Sequence, residues 1–282
     1  MVGPVALTVS ERQLIRSALV ELARACSTVV LYSLENPSAA SAVASWISSP
    51  TNFESNFGPK LFKSACNSIA LSTAAASDNL NTFVFSLRNE RSAVSMAALT
   101  RATLEAYGRA YFLLQSQSAE GFFHRYVSLT HDELKYPVRH SGFTTAEGAV
   151  IDGAAYRAEL TEFAKKLNSS KLLDVSLAEL VATLLAQAAD GETDPAIYSQ
   201  LSGAAHAAAS AVGMFVQRSM AGWGLTLPSD IAFEYAGYIY AAATVVGDRA
   251  VELFDPPVAV ADRWRGARDR ATLKMLELRS AL

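Results

Sequence analysis

The sequence predicts an all-α protein, and three observations carry that reading. Helix-start signals recur along the chain, apolar residues between them fall at three- and four-residue spacing, and strand signals are sparse. About eight or nine helices are expected from this pattern, packed as one bundle. No internal repeat and no long polar linker divides the 282 residues, so 1–282 is read as a single domain. Within it, residues 1–58 are expected as a peripheral N-terminal lobe and 59–282 as the bundle core, with the break near "WISSPTNFESNFGPK".

The elements follow in order. Thr8 with Glu11 forms a capping-box pattern for the first helix. Asn36-Pro37 places a capping side chain before a proline and predicts a second start; Gly58-Pro59 reads similarly. "NTFVFSL", 81–87, could form a strand, but strand signals are poor beside the helical ones and the reading stays all-α. "RSAVSMAALTRATLEAYGRAYFLLQ", 91–115, has the helical period throughout. Thr144 with Glu147 and Ser176 with Glu179 repeat the capping box. Asp194-Pro195 opens a further helix, and Ser229-Asp230 after Pro228 opens another.

Composition narrows the function classes. Hydrophobic residues make up 51% and charged residues 18%, too apolar for a disordered chain. A net charge of −3 argues against a general nucleic-acid binder, which needs clustered positive charge. Cys26 and Cys66 are too few for a disulfide framework and lack metal-type spacing. "MVGPVALTVSERQLIRS" has no basic segment followed by an apolar one, so a cytoplasmic, reducing location is the expectation. The most apolar stretches, "LSGAAHAAASAVGMFVQ" and "YAGYIYAAATVVG", fall short of the roughly 18 to 20 residues that span a bilayer. Buried helices, and no membrane contact, are expected instead.

"IYSQLSGAAHAAASAV", 197–212, sets Tyr198, Ser202 and His206 among small residues at i,i+4 spacing, which puts all three on one helix face. Buried there, they need hydrogen-bond partners, because an unmet polar group costs about 1 to 3 kcal/mol. Arg101 and Glu105 form a second polar pair in an equally apolar helix. Their order is the weaker one for a self-contained i,i+4 ion pair, so they too call for partners. The two stripes are expected to meet, either as a buried polar network that fixes helix register or as a ligand-binding pocket. In the pocket reading His206 is an acid or base, Glu105 orients it and Arg101 receives a small anion.

The layout Arg-x-x-x-Glu followed downstream by Tyr-x-x-Leu-Ser-x-x-x-His, carried by Arg101, Glu105, Tyr198, Leu201, Ser202 and His206, resembles bacterial all-helical families of unknown function grouped with HEPN-like proteins. The resemblance covers residues 85–220. It implies a helical bundle with a shared polar centre and no established activity. HEPN ribonucleases carry Arg, four to six residues, then His; Arg125 and His131 stand with five residues between them. By that resemblance His131 would act on a ribose 2′-hydroxyl while Arg125 stabilises phosphate charge, without metal. The family's polar residue after the arginine is here Tyr126.

His124, His131 and His140 lie close in sequence, but seven positions on a helix is about 10 Å, so no metal site is expected. No phosphate loop or other cofactor motif is found, and no cofactor is implied. The last helix carries a basic run over 263–279, with Arg263, Arg265, Arg268, Arg270, Lys274 and Arg279 against Asp262, Asp269 and Glu277. It reads as a solvated face laced with ion pairs, with nucleic acid or an acidic partner as the alternative. Trp264 and Leu276 suggest that one side packs on the bundle or on a second copy. The favoured expectation is a non-enzymatic interaction or regulatory protein in a stress or defence setting, forming a homo-oligomer or binding a protein partner. A ribonuclease using Arg125 and His131, and a small-anion binder at Arg101, Glu105 and His206, are the alternatives.

Overall fold

The computed structural model describes residues 6–88, 93–135, 143–144, 150–167, 171–188, 196–219 and 222–281. They form eleven α-helices, two of them single turns of four residues, and two short antiparallel hairpins. The protein is all-α, with more helices than the pattern predicts because of those two turns. None of the described helices is long and apolar enough to cross a membrane.

α1 (Val9–Glu35) begins at the predicted box: Thr8 N donates to Glu11 Oε2 at 2.6 Å, and Glu11 N donates to Thr8 Oγ1 at 3.2 Å. Asn36 does not open a second helix. It closes α1, its backbone and side-chain amides both donating to the Tyr32 carbonyl, and Pro37 prevents continuation. α2 (Ala44–Ile47) is held by Trp46, whose ring centroid lies 5.2 Å from that of Phe122. α3 (Leu61–Ser86) is capped from a distance, Phe62 N donating to Asn52 Oδ1 at 2.9 Å. Residues 81–87, which alone admit a strand reading, are the last turns of α3 and its cap, in keeping with the all-α expectation. α4 (Ala93–Leu114) and α5 (Ala119–Glu133) follow, the latter capped by Ser118.

Thr144 is not a helix cap. It lies in β1 (Phe143–Thr144), paired with β2 (Val150–Ile151), and Glu147 lies outside the described residues. Asp152 caps α6 (Gly153–Lys166) by accepting from Ala154 N and Ala155 N. α7 (Leu177–Ala188) starts after Ser176 as its pattern predicts. Asp194-Pro195 lies outside the described residues, directly before α8 (Ala196–Ala205). α8 is shorter than the run of small residues suggests. Ala207 adopts a left-handed φ of 55°, which ends the helix, and α9 (Ala209–Val212) is a separate turn. β3 (Val216–Ser219) and β4 (Gly222–Leu225) then lead to α10 (Ser229–Phe254) and α11 (Val258–Ala281).

α4 is the central helix, packed against α3, α5, α7, α8 and α10. Its Leu104, Tyr107, Ala110, Leu113 and Leu114 have no exposed surface. α1, expected in a peripheral lobe, instead lies against α3, α10 and α11. Its Ile15, Leu19, Leu22 and Cys26 belong to the same contiguous core as α4 and α10. The sequence suggests a boundary near 58 because 48–60 lacks a helical period; Asn52 and Phe53 nevertheless tie that loop to the core.

Candidate functional site

The two polar stripes meet where α8 crosses α4. Arg101 and Glu105 project from one face of α4, and Tyr198 from α8, with His206 just past the α8 end. Arg101 Nε donates to Glu105 Oε1 at 2.7 Å, its Nη2 to Tyr198 Oη at 3.1 Å, and its Nη1 contacts His206 Nε2 at 3.1 Å. A guanidinium can only donate, so Nε2 of His206 accepts and the ring proton sits on Nδ1. Tyr198 Oη donates in turn to Glu105 Oε1 at 2.8 Å, and the Arg101 guanidinium lies 5.2 Å from the Tyr198 ring centroid.

The cluster is not deeply buried. The Arg101 and Glu105 side chains keep 21% and 18% of their surface, Tyr198 is half-buried and His206 is exposed. The cause is the break at Ala207, which puts His206 at a helix end rather than mid-helix in the core. Partial burial opposes the Arg101 charge, but the Glu105 carboxylate and Tyr198 hydroxyl outweigh it and raise the Arg101 pKa. Burial, then the hydrogen bond to Glu105, raises the pKa of Tyr198. Ser202 shares the face and is half-buried; it joins through its backbone, its carbonyl accepting from His206 N at 3.0 Å.

Arg125 and His131 are not brought together. Six positions apart on α5, they point roughly 120° from each other around the axis. The Arg125 guanidinium stacks 4.8 Å from the Phe112 ring centroid of α4, and burial lowers its pKa. His131 faces α6 and accepts at Nε2 from Arg157 Nε at 3.1 Å. Burial, Arg157 and Lys135 lower its pKa, against the opposing charge of Asp132. His124 Nε2 lies 3.1 Å from the Lys171 carbonyl oxygen, and His140 lies outside the described residues. Among the described residues no group of His, Cys, Asp and Glu is arranged to hold a metal ion.

The basic run of α11 is laced with ion pairs. Arg268 Nη1 donates to Asp248 at 2.9 Å, Arg270 and Lys274 grip Glu21 at 2.6 and 2.9 Å, and Arg265 meets Asp262 at 2.9 Å. Trp264 is 1% exposed and packs on the bundle, whereas Leu276 faces outward. Sequence reasoning missed Glu21, Asp248 and Arg157, whose partners lie on other helices, and it did not single out Arg16 and Arg24 of α1. Comparison with protein-family models, curated proteins and solved structures returns no match.

Proposed function

We propose that the chain is a single-domain, cytoplasmic, non-enzymatic interaction or regulatory protein of HEPN-like type, working in a stress or defence setting. In this reading the Arg101 cluster is a latch that docks α8 on α4. The observation that carries it is the engagement of Arg101 within the protein: each of its three guanidinium nitrogens has a partner and one face is covered by Tyr198. A group so occupied is poorly placed to receive a substrate anion. The separation of Arg125 from His131 supports the same conclusion, since acid–base chemistry needs both within reach of one phosphodiester. Leu273 and Leu276, neighbours on α11 at 67% and 55% exposure, offer a face for self-association.

Incubation with a panel of structured and single-stranded RNAs tests this reading. Wild-type protein should leave every RNA intact. Cleavage that disappears in both Arg125→Ala and His131→Ala, with folding preserved, would replace it with a ribonuclease that assembles its site between copies.

A further inference from the structure

A cleft of about 850 Å³ lies between α1 and α11, away from the Arg101 cluster. Arg16, Val20 and Arg24 succeed one another at i,i+4 along α1 and so line it as one row, and Arg263 enters from α11. Val20 and Val260, both half-buried, give it apolar lining. The volume is within the usual range of small-molecule sites.

The charge at this cleft is unbalanced. Arg265, Arg268 and Arg270 of α11 are each matched to a carboxylate, and Arg101, Arg109 and Arg249 elsewhere likewise. The guanidinium groups of Arg16, Arg24 and Arg263, by contrast, have no hydrogen-bond, ion-pair or ring partner among the described residues. The one carboxylate lining the cleft, Glu21, is already held by Lys274 and Arg270, whose contacts lower its pKa. Three unpaired cations therefore share one concavity on a chain whose net charge is −3. Like charges so placed repel, and an anion that bridges them relieves the repulsion.

We propose that the α1–α11 cleft binds a small amphipathic anion, a carboxylate or phosphate head carried on an apolar body. The head is received by Arg16, Arg24 and Arg263 through charge-assisted hydrogen bonds, and the body lies on the valine lining. An extended polyanion fits less well, because Arg265, Arg268, Arg270 and Lys274 of α11 are already paired with carboxylates of α11, α10 and α1.

Isothermal titration with dodecanoate and with dodecyl phosphate, both below their micelle concentrations, tests this and distinguishes the two heads. At least one should saturate at one molecule per chain and raise the melting temperature. The triple variant Arg16→Gln, Arg24→Gln, Arg263→Gln should bind it about ten-fold more weakly or worse, as expected for lost charge-assisted contacts. Because it relieves repulsion, that variant should melt no lower than wild type without ligand. Arg265→Gln, which breaks a pair with Asp262 outside the cleft, should bind as wild type. Failure of both amphiphiles to saturate would overturn the proposal, as would undiminished binding in the triple variant. Inorganic phosphate binding as tightly as dodecyl phosphate would remove the apolar half of the site. A single-stranded RNA that needs the three arginines while neither amphiphile binds would reassign the cleft to nucleic acid.

Discussion

The indole of Trp264 lies so close to Gly247 that a Cβ on that glycine would stand 2.3 Å from Cζ2 and 2.5 Å from Cη2. No side chain larger than hydrogen fits between α10 and α11 at this point. The ring cannot swing aside freely, because Nε1 donates to Asp248 Oδ1 at 2.7 Å and Asp248 is also gripped by Arg268.

Gly247→Ala should therefore destabilise the protein. An exposed mid-helix glycine gains about 1 kcal/mol of helix propensity when replaced by alanine. Here overpacking costs about 1 to 3 kcal/mol and opposes that gain, and displacement of the ring from Asp248 adds to the loss. The melting temperature should fall. A rise would show that α11 can shift away from α10 without penalty.

The latch makes a graded prediction. Arg101→Ala leaves Glu105 and Tyr198 with only each other and should cost about 1 to 3 kcal/mol in urea unfolding. His206→Ala removes an exposed partner and should stay within about 0.5 kcal/mol of wild type. A double-mutant cycle between Arg101 and Tyr198 should show coupling of roughly 0.5 kcal/mol or more. Strict additivity there, or a His206 effect as large as that of Arg101, would contradict the geometry.

His131 predicts a pH dependence. Its pKa is lowered in the folded protein by burial, Arg157 and Lys135, with Asp132 opposing. As pH falls, the unfolded chain takes up this proton first, near the ordinary imidazole value of about 6.5. The stability held by neutral His131 is thus fully present above that value and is lost as pH falls through the lower folded value. His131→Gln should flatten stability against pH in this window and leave carboxylate effects at lower pH unchanged. An unaltered profile would mean that His131 titrates alike in both states.

The fold class was legible because helix starts and apolar spacing are local signals. Thr8 and Glu11 lie one turn apart, and 91–115 shows its period without help from the rest of the chain. The meeting of Arg101 and Glu105 with Tyr198 and His206 was legible for another reason. Two polar stripes in apolar helices each lack partners, and each is the remedy for the other. What failed was local chemistry with two outcomes. Asparagine closes helices as well as opening them, as at Asn36, and a threonine suits a strand as well as a cap, as at Thr144. Nothing around Ala207 signals a left-handed residue, so the end of α8, and with it the exposure of His206, was hidden. Arg16 and Arg24 gain meaning only when Arg263, some 240 positions on, arrives beside them.

The packing of α1 against α10 and α11 has a consequence during synthesis. Ile15, Leu19, Leu22 and Cys26 leave the ribosome long before Ser229, where α10 begins. At roughly 5 to 20 residues per second, that face waits on the order of ten seconds or more for its final cover. α3 arrives early enough to shield part of it. The remainder is a greasy helix flank displayed on a nascent chain, the kind of surface that chaperones grip and that aggregates when they do not. Ribosome stalling or truncation ahead of α10 should therefore yield a chain that holds helices but precipitates, its first-made helix still seeking partners that were never translated.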